Sequence, residues 1–190
     1  MSHDRSAAWG LDGSDGELLI RTGVAGRAAQ LGHRLTIAMR RWLAAVRWEG
    51  DEPVSAELTV DVDALEVVRG DGGLTPLSGP EKILVRGNAL RSLNARRFPR
   101  ISFAATTIEQ TDDGYRLTGT LTIHGKARPQ VVDVCTEDLG DSWRLISETT
   151  VRQSAFGIKP YSQLLGSLKV ADDVTVAFTA QHAKAARTKE

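Results

Sequence analysis

The side chains able to do chemistry are few in this chain, and their spacing does not gather them. His33 and His124 fall among strand-like runs, and neither has a His, Cys or acidic residue at metal-ligand spacing. His33 opens an apolar face just after Gly32, where an imidazole could act as a general base. A structural, hydrogen-bonded histidine is the simpler reading. His124 is expected to hydrogen-bond across the turn at Gly125. The single cysteine, Cys135, has no identifiable electropositive partner to make it a nucleophile. Ser154 and Ser162 lack a G-x-S-x-G setting. Gly70-Asp71-Gly72-Gly73 resembles a phosphate loop only superficially, because no Gly-Lys-Ser/Thr follows and no G-x-G-x-x-G opens a helix. Arg86, Arg91, Arg96, Arg97 and Arg100 occur with no acid among them. They could receive a phosphate or carboxylate, since guanidinium suits bidentate contact, but a solvated face is the simpler reading. Phe98 alone interleaves with them, which argues against a nucleic-acid platform. No catalytic constellation emerges, so the chain reads as a non-enzyme, with no cofactor and no metal.

The totals agree. Lys+Arg and Asp+Glu are both 24, giving zero net charge, and a balanced protein is a poor general candidate for nucleic acid or anionic membrane. One cysteine cannot form an internal disulfide. The first residues have no apolar core like that of a signal peptide. No run of about 18 apolar residues occurs, so no membrane span is expected and a cytoplasmic location is the default.

The elements that would position these residues are strands. Residues 33–39 place His33, Leu35, Ile37 and Met39 on one face, and residues 42–48 bring Trp42, Ala44, Val46 and Trp48 together. Residues 56–63 alternate Leu58, Val60 and Val62 against polar residues, and 100–109 offer Ile101, Phe103 and Ala105. Asp112-Asp113-Gly114 reads as a hairpin turn into 115–123, where Tyr115, Leu117, Leu121 and Ile123 share a face. This run stops at Gly125 and restarts past Pro129. Further runs follow at 131–139, 143–153 and 168–180. Period-2 alternation over most of the chain implies strands buried on one face, and closure into a barrel removes their edges. One helix breaks the pattern. Ser78-Gly79-Pro80-Glu81 reads as a capping box, with Ile83, Leu84, Leu90 and Leu93 as an apolar stripe through about residue 95. The expected organisation is a disordered N-terminal segment over 1–16, one barrel domain over 17–182 and a charged tail over 183–190.

Three pieces carry a family resemblance: Phe98-Pro99-Arg100-Ile101-Ser102-Phe103, then Gly119-Thr120-Leu121-Thr122-Ile123-His124-Gly125 with Pro129, then Arg152-Gln153-Ser154-Ala155-Phe156-Gly157-Ile158. In this order they resemble the YceI-like family over roughly residues 17–180. The resemblance implies an antiparallel, lipocalin-like barrel of about eight strands, with the helix packed on it or capping it. It also implies an elongated apolar pocket for a polyisoprenoid-type lipid or quinone, and makes a homodimer plausible. Gly32-His33-Arg34-Leu35-Thr36-Ile37 looks like an intracellular subgroup of that family.

An eight-stranded barrel can be filled by its side chains or hold one ligand, and the resemblance favours the cavity. The inward set expected to line it is Leu35, Ile37, Met39, Trp42, Val60, Phe103, Leu117, Leu121, Trp143, Val176 and Phe178. Phe156, Ile158, Tyr161 and Leu165 join it from the Gly-punctuated excursion over 155–168, which could form a lid or simply cap the core. Tyr161 and Ser162 could then anchor a head group. The function expected is that of a carrier or sequestering protein. Its rivals are a hydrolase or isomerase using His33, and a packed interaction module with no pocket.

Overall fold

The computed structural model describes residues 6–184. Twelve strands form one curled antiparallel sheet. They are β1 (Ser6–Asp12), β2 (Gly16–Ala25), β3 (His33–Met39), β4 (Trp42–Glu49), β5 (Glu52–Asp61), β6 (Leu65–Gly72), β7 (Arg100–Thr111), β8 (Gly114–Ile123), β9 (Lys126–Asp138), β10 (Ser142–Arg152), β11 (Ser162–Gln163) and β12 (Leu168–Ala183).

The count exceeds the expected eight because three long strands are broken by kinks. β1 pairs β4 while β2 pairs β3, so 6–25 runs as one bent strand beside 33–49. β3 pairs β6 and β4 pairs β5, so 33–49 and 52–72 form one long hairpin, kinked at Arg40-Arg41 and at Val62–Ala64. Across those kinks the neighbour order runs β7, β5–β6, β3, β2, β12, β10, β9, β8 and back to β7. The kinked members plus the five straight ones make eight walls, and two-residue β11 adds a short flap on β12.

Four strands lie where none was read: β1, β2, β6 and two-residue β11. Part of the segment expected to be disordered is β1, held by seven register pairs to β4. β2 repeats the inward pattern with Leu18, Ile20, Thr22 and Val24. Residues 1–5 and 185–190, including most of the expected tail, lie outside the described residues.

The helix, α1 (Gly79–Ser92), starts with the expected capping box: Ser78 accepts from the Glu81 backbone, and the Glu81 carboxylate accepts from the Ser78 N–H at 2.7 Å. Its packed stripe differs from the expected one. Val85, Ala89 and Leu93 meet the core, whereas Ile83 and Leu84 are exposed. Leu93 packs as expected, Val85 and Ala89 take the place of Ile83 and Leu84 in the stripe, and the helix ends three residues earlier than expected. Arg86 donates to the Leu65 carbonyl at 2.8 Å and Lys82 to the Val68 carbonyl at 2.7 Å, which clamps α1 beside β6. Arg86 thus leaves the arginine cluster to act as a structural tie.

The turn between β8 and β9 is His124-Gly125, both left-handed at φ 53° and 72°. Two positive φ values are what a two-residue hairpin turn needs, and a side chain at Gly125 would run into the Phe98 ring. The His124 ring packs edge-on to Phe98, and its Nδ1 has no partner, contrary to the expected bond across the turn. β9 restarts at Lys126, so Pro129 lies within a strand and not ahead of it.

Candidate functional site

The barrel is hollow. A cavity of about 1240 Å³ runs inside it, walled by residues from both ends of the strands and from one flank of α1. This separates the chain from the packed-module reading, which requires no internal void. The wall is dominated by aliphatic and aromatic side chains, because each strand turns its apolar period-2 face inward.

Of the side chains expected to line a pocket, Leu35, Ile37, Met39, Val60, Phe103, Leu117, Leu121, Trp143, Ile158, Tyr161, Val176 and Phe178 lie in this wall. Trp42 lies outside it, 3% exposed and edge-on to Phe178 at 5.2 Å between ring centroids. Phe156, 2% exposed, packs with Ile123, Val151 and Ile158 in a second small core. Leu165 stands fully in solvent.

The 155–168 excursion therefore divides. Its first half is a 3₁₀ turn over Gln153–Phe156 whose apolar side chains plug the barrel. The plug fills a real gap. β9 and β10 pair only from Trp143–Asp138 to Ile146–Cys135, and beyond that the two strands part. Arg128 of β9 donates to the Ala155 carbonyl at 3.1 Å, and Ser154 bonds Asp172 through its backbone N–H at 2.8 Å. These bonds pin the turn across the gap. The second half carries Leu164 and Leu165, both exposed and both left-handed at φ 50° and 53°.

The two barrel ends differ. At one end Trp9, Trp48, Tyr115 and Trp143 reach the wall. Trp9 lies 4.8 Å from Trp48 and 4.2 Å from His182, centroid to centroid, and Lys184 sits over Trp143. Burial pushes the His182 pKa down, with Asp15 opposing. At the other end the wall is completed by Leu31, Gly32, His33, Leu77, Glu81, Leu84, Tyr161 and Leu168.

His33 lines the cavity there, and its Nε2 lies 2.7 Å from the Thr75 carbonyl. A side chain on Gly73, itself at φ 71°, would meet the His33 ring. The imidazole is thus seated by a loop, and its hydrogen-bond partner is a backbone carbonyl. The His33 enzyme reading predicts a carboxylate or hydroxyl within hydrogen-bond reach, and among the described residues the ring bonds only that carbonyl. Cys135 is exposed on the outside of β9. Among the described residues no group of three or more His, Cys, Asp or Glu could hold a metal. Among the described residues no helix is long and apolar enough to cross a membrane.

Several wall residues carry no sequence signal as ligand contacts. Asn88 and Ser92 of α1, Thr136, Ser147 and Thr149 are ordinary polar residues until the fold turns them inward. β2 could have been found from its Leu18-Ile20-Thr22-Val24 alternation.

A family model described as the YceI-like domain matches residues 20–182. A comparison with curated proteins finds no match. Among solved structures, BcnA of Burkholderia cenocepacia is similar at TM-score 0.68 and 20% identity, over 91% of this chain and 99% of that one. The Campylobacter jejuni YCEI protein is similar at TM-score 0.59 and 15% identity, over 78% of this chain and 84% of that one. A mutant CJ YCEI protein solved with a monobromobimane guest structure gives TM-score 0.59 and 15% identity over the same shares, 78% and 84%. At these identities the likeness to solved structures is one of fold.

Proposed function

Because the chain belongs to the YceI-like domain family, we propose that it binds one elongated apolar ligand of the isoprenoid class inside the barrel and acts as a carrier or sequestering protein. The observation that carries this reading is the cavity of about 1240 Å³ with its largely apolar wall. Each methylene moved from water into such a wall gains about 0.8 kcal/mol, so a chain of several isoprene units needs no sharp recognition motif. The contacts assigned to the ligand are Leu35, Ile37, Met39, Val60, Phe103, Leu117, Leu121, Trp143, Ile158, Val176 and Phe178, with Tyr161 offering a hydroxyl near the leucine-lined end.

No bond needs to be made or broken in this role, which suits a wall whose one imidazole is held by a backbone carbonyl. Native mass spectrometry of the protein purified from its own host, followed by lipid extraction, tests the reading. A stoichiometric apolar passenger is the expected result. A bare protein that also fails to bind added isoprenoid alcohols or quinones, followed by Trp fluorescence, would overturn it.

A further inference from the structure

The zero net charge conceals a strong separation between the barrel's ends. The turns at residues 49–52, 111–114 and 138–142 lie at the aromatic end and together hold seven Asp or Glu and no Lys or Arg. At the opposite end, the connections 26–32, 73–78, 93–99, 124–125, 153–161 and 164–167 hold Arg27, Arg96, Arg97 and Lys159 and no acid. Arg34 and Lys169 flank that mouth. Among the described residues Arg27, Arg34, Lys159 and Lys169 form no ion pair. The nearby acids are engaged: Glu81 by Ser78, Asp71 by Arg69, Asp172 by Ser154 and Asp173 by Arg152.

Apolar exposure is concentrated at the same place. Of ten exposed large hydrophobic side chains among the described residues, six sit here: Leu31, Leu74, Ile83, Leu84, Leu164 and Leu165. The acidic end has Leu139 alone in its turns. Leu31 and Leu84 are also part of the cavity wall, so the exposed apolar rim meets the cavity at these two side chains, beside His33, Glu81, Gln163 and Lys169.

We propose that this leucine-rimmed basic mouth docks on an anionic lipid bilayer, with the acidic end facing away. Apolar tips beside free cations are what the interface of such a surface accepts, with the leucines entering the headgroup boundary and the cations meeting the phosphates. The leucine-rimmed end of the cavity then faces the phase in which an apolar ligand dissolves. The inference rests on the ligand reading only for its purpose. Docking itself is measured on ligand-free protein.

The test is flotation of the full chain with vesicles of phosphatidylcholine, with and without phosphatidylglycerol. Binding to the anionic vesicles is expected, and is lost as salt rises from about 0.1 M to about 1 M, where the screening length falls from about 10 Å to about 3 Å. Lys159→Glu with Lys169→Glu lowers the partition more than about tenfold, at about fivefold for each cation removed from the surface. Leu164→Asp with Leu165→Asp lowers it by roughly tenfold or more. Asp51→Lys with Asp141→Lys, at the other end, leaves it intact or raises it. Both variant pairs at the mouth replace exposed residues, and an unchanged Tm verifies the fold. Absence of wild-type binding to anionic vesicles would overturn the proposal, as would unchanged binding by both mouth variants. The first result would favour a protein partner for this face. Farnesol titrated in the absence of vesicles reads the cavity separately, so failure of docking and failure of ligand binding remain distinguishable.

Discussion

The two ends of this barrel are made by the same strands and differ in how those strands are joined. At the acidic end, chain reversals are two or three residues long, as at Gly50-Asp51 and Asp112-Asp113. Such turns need Gly or Asp for their backbone angles, so part of the acidity there follows from turn chemistry. At the basic end the connections other than His124-Gly125 are longer and contain a helix and three 3₁₀ turns, which frees their composition from turn geometry. Those connections carry leucine, lysine and arginine instead. The comparison teaches that tight turns fix one end as a rigid, aromatic-lined base, and that variation in this fold has room to act at the other.

Several measurements would break or sharpen that contrast. The largest effect is expected within the basic end itself. Phe156→Ala removes the plug from the gap between β9 and β10 and should destabilise by about 3–5 kcal/mol in urea unfolding. Leu165→Gly, a few residues away, should instead stabilise by roughly 0.5–1 kcal/mol, because relief of the left-handed backbone outweighs the added entropy of the unfolded chain. If the two changes cost the same, the division of this excursion into plug and rim is wrong.

Next comes a pair of cavity variants read by isoprenoid binding. Leu117→Trp, deep toward the acidic end, should weaken long ligands by about tenfold and spare short ones, as loss of one to two buried methylenes predicts. Leu35→Trp, near the basic mouth, should slow association for all lengths. Stopped-flow fluorescence separates these outcomes, and equal effects on every ligand from both sites would contradict access through the basic mouth.

A smaller effect attaches to the helix beside that mouth. Ser78→Ala breaks the capping box and should cost about 1 kcal/mol, measured as a shift in the urea midpoint. The smallest effect belongs to the acidic end. His182 has its pKa lowered by burial beside Trp9, so the unfolded chain takes up the proton first. Stability contributed here is complete above the unfolded value of about 6.5 and is lost as pH falls below it. Tm measured at stepwise lower pH from about 7.5 should therefore fall less steeply in His182→Gln than in the wild type, and parallel curves would remove His182 from this role.

Most of the architecture was legible in the sequence. Alternation located β3, β4, β7, β8 and β10 nearly to the residue, and Ser78 with Glu81 marked the helix start. What escaped has physical reasons. β1 is Gly- and Asp-bounded and becomes a strand only because β4 offers it a ladder. β6 lies in Leu65-Glu66-Val67-Val68-Arg69, where one helix flank covers an outer edge and blurs the alternation. The inward faces were readable because period 2 fixes them, which places most of the expected side chains in the cavity wall. Leu165 was not distinguishable from Ile158 by type, since only the backbone decides which of two apolar residues a loop hides. The balanced charge says nothing of placement, for a related reason. A sum over the chain has no direction, and here the tight turns of one end hold acids without bases while the connections of the other hold bases without acids.

The parting of β9 from β10 gives the container an expansion joint. Where strands are paired the wall is stitched by backbone hydrogen bonds, whose spacing fixes the girth, and the outer edge of β6 is held by Lys82 and Arg86 of α1. Along this one seam the two margins are joined by packed side chains and a few pinning bonds from 153–156. Pro129 lies in the part of β9 that flanks the seam, where a missing amide donor is tolerated. Side-chain contacts can slide where a ladder can only break. Under the carrier reading proposed above, cargo of differing bulk is accommodated by shifting one plug, with the paired ladders intact.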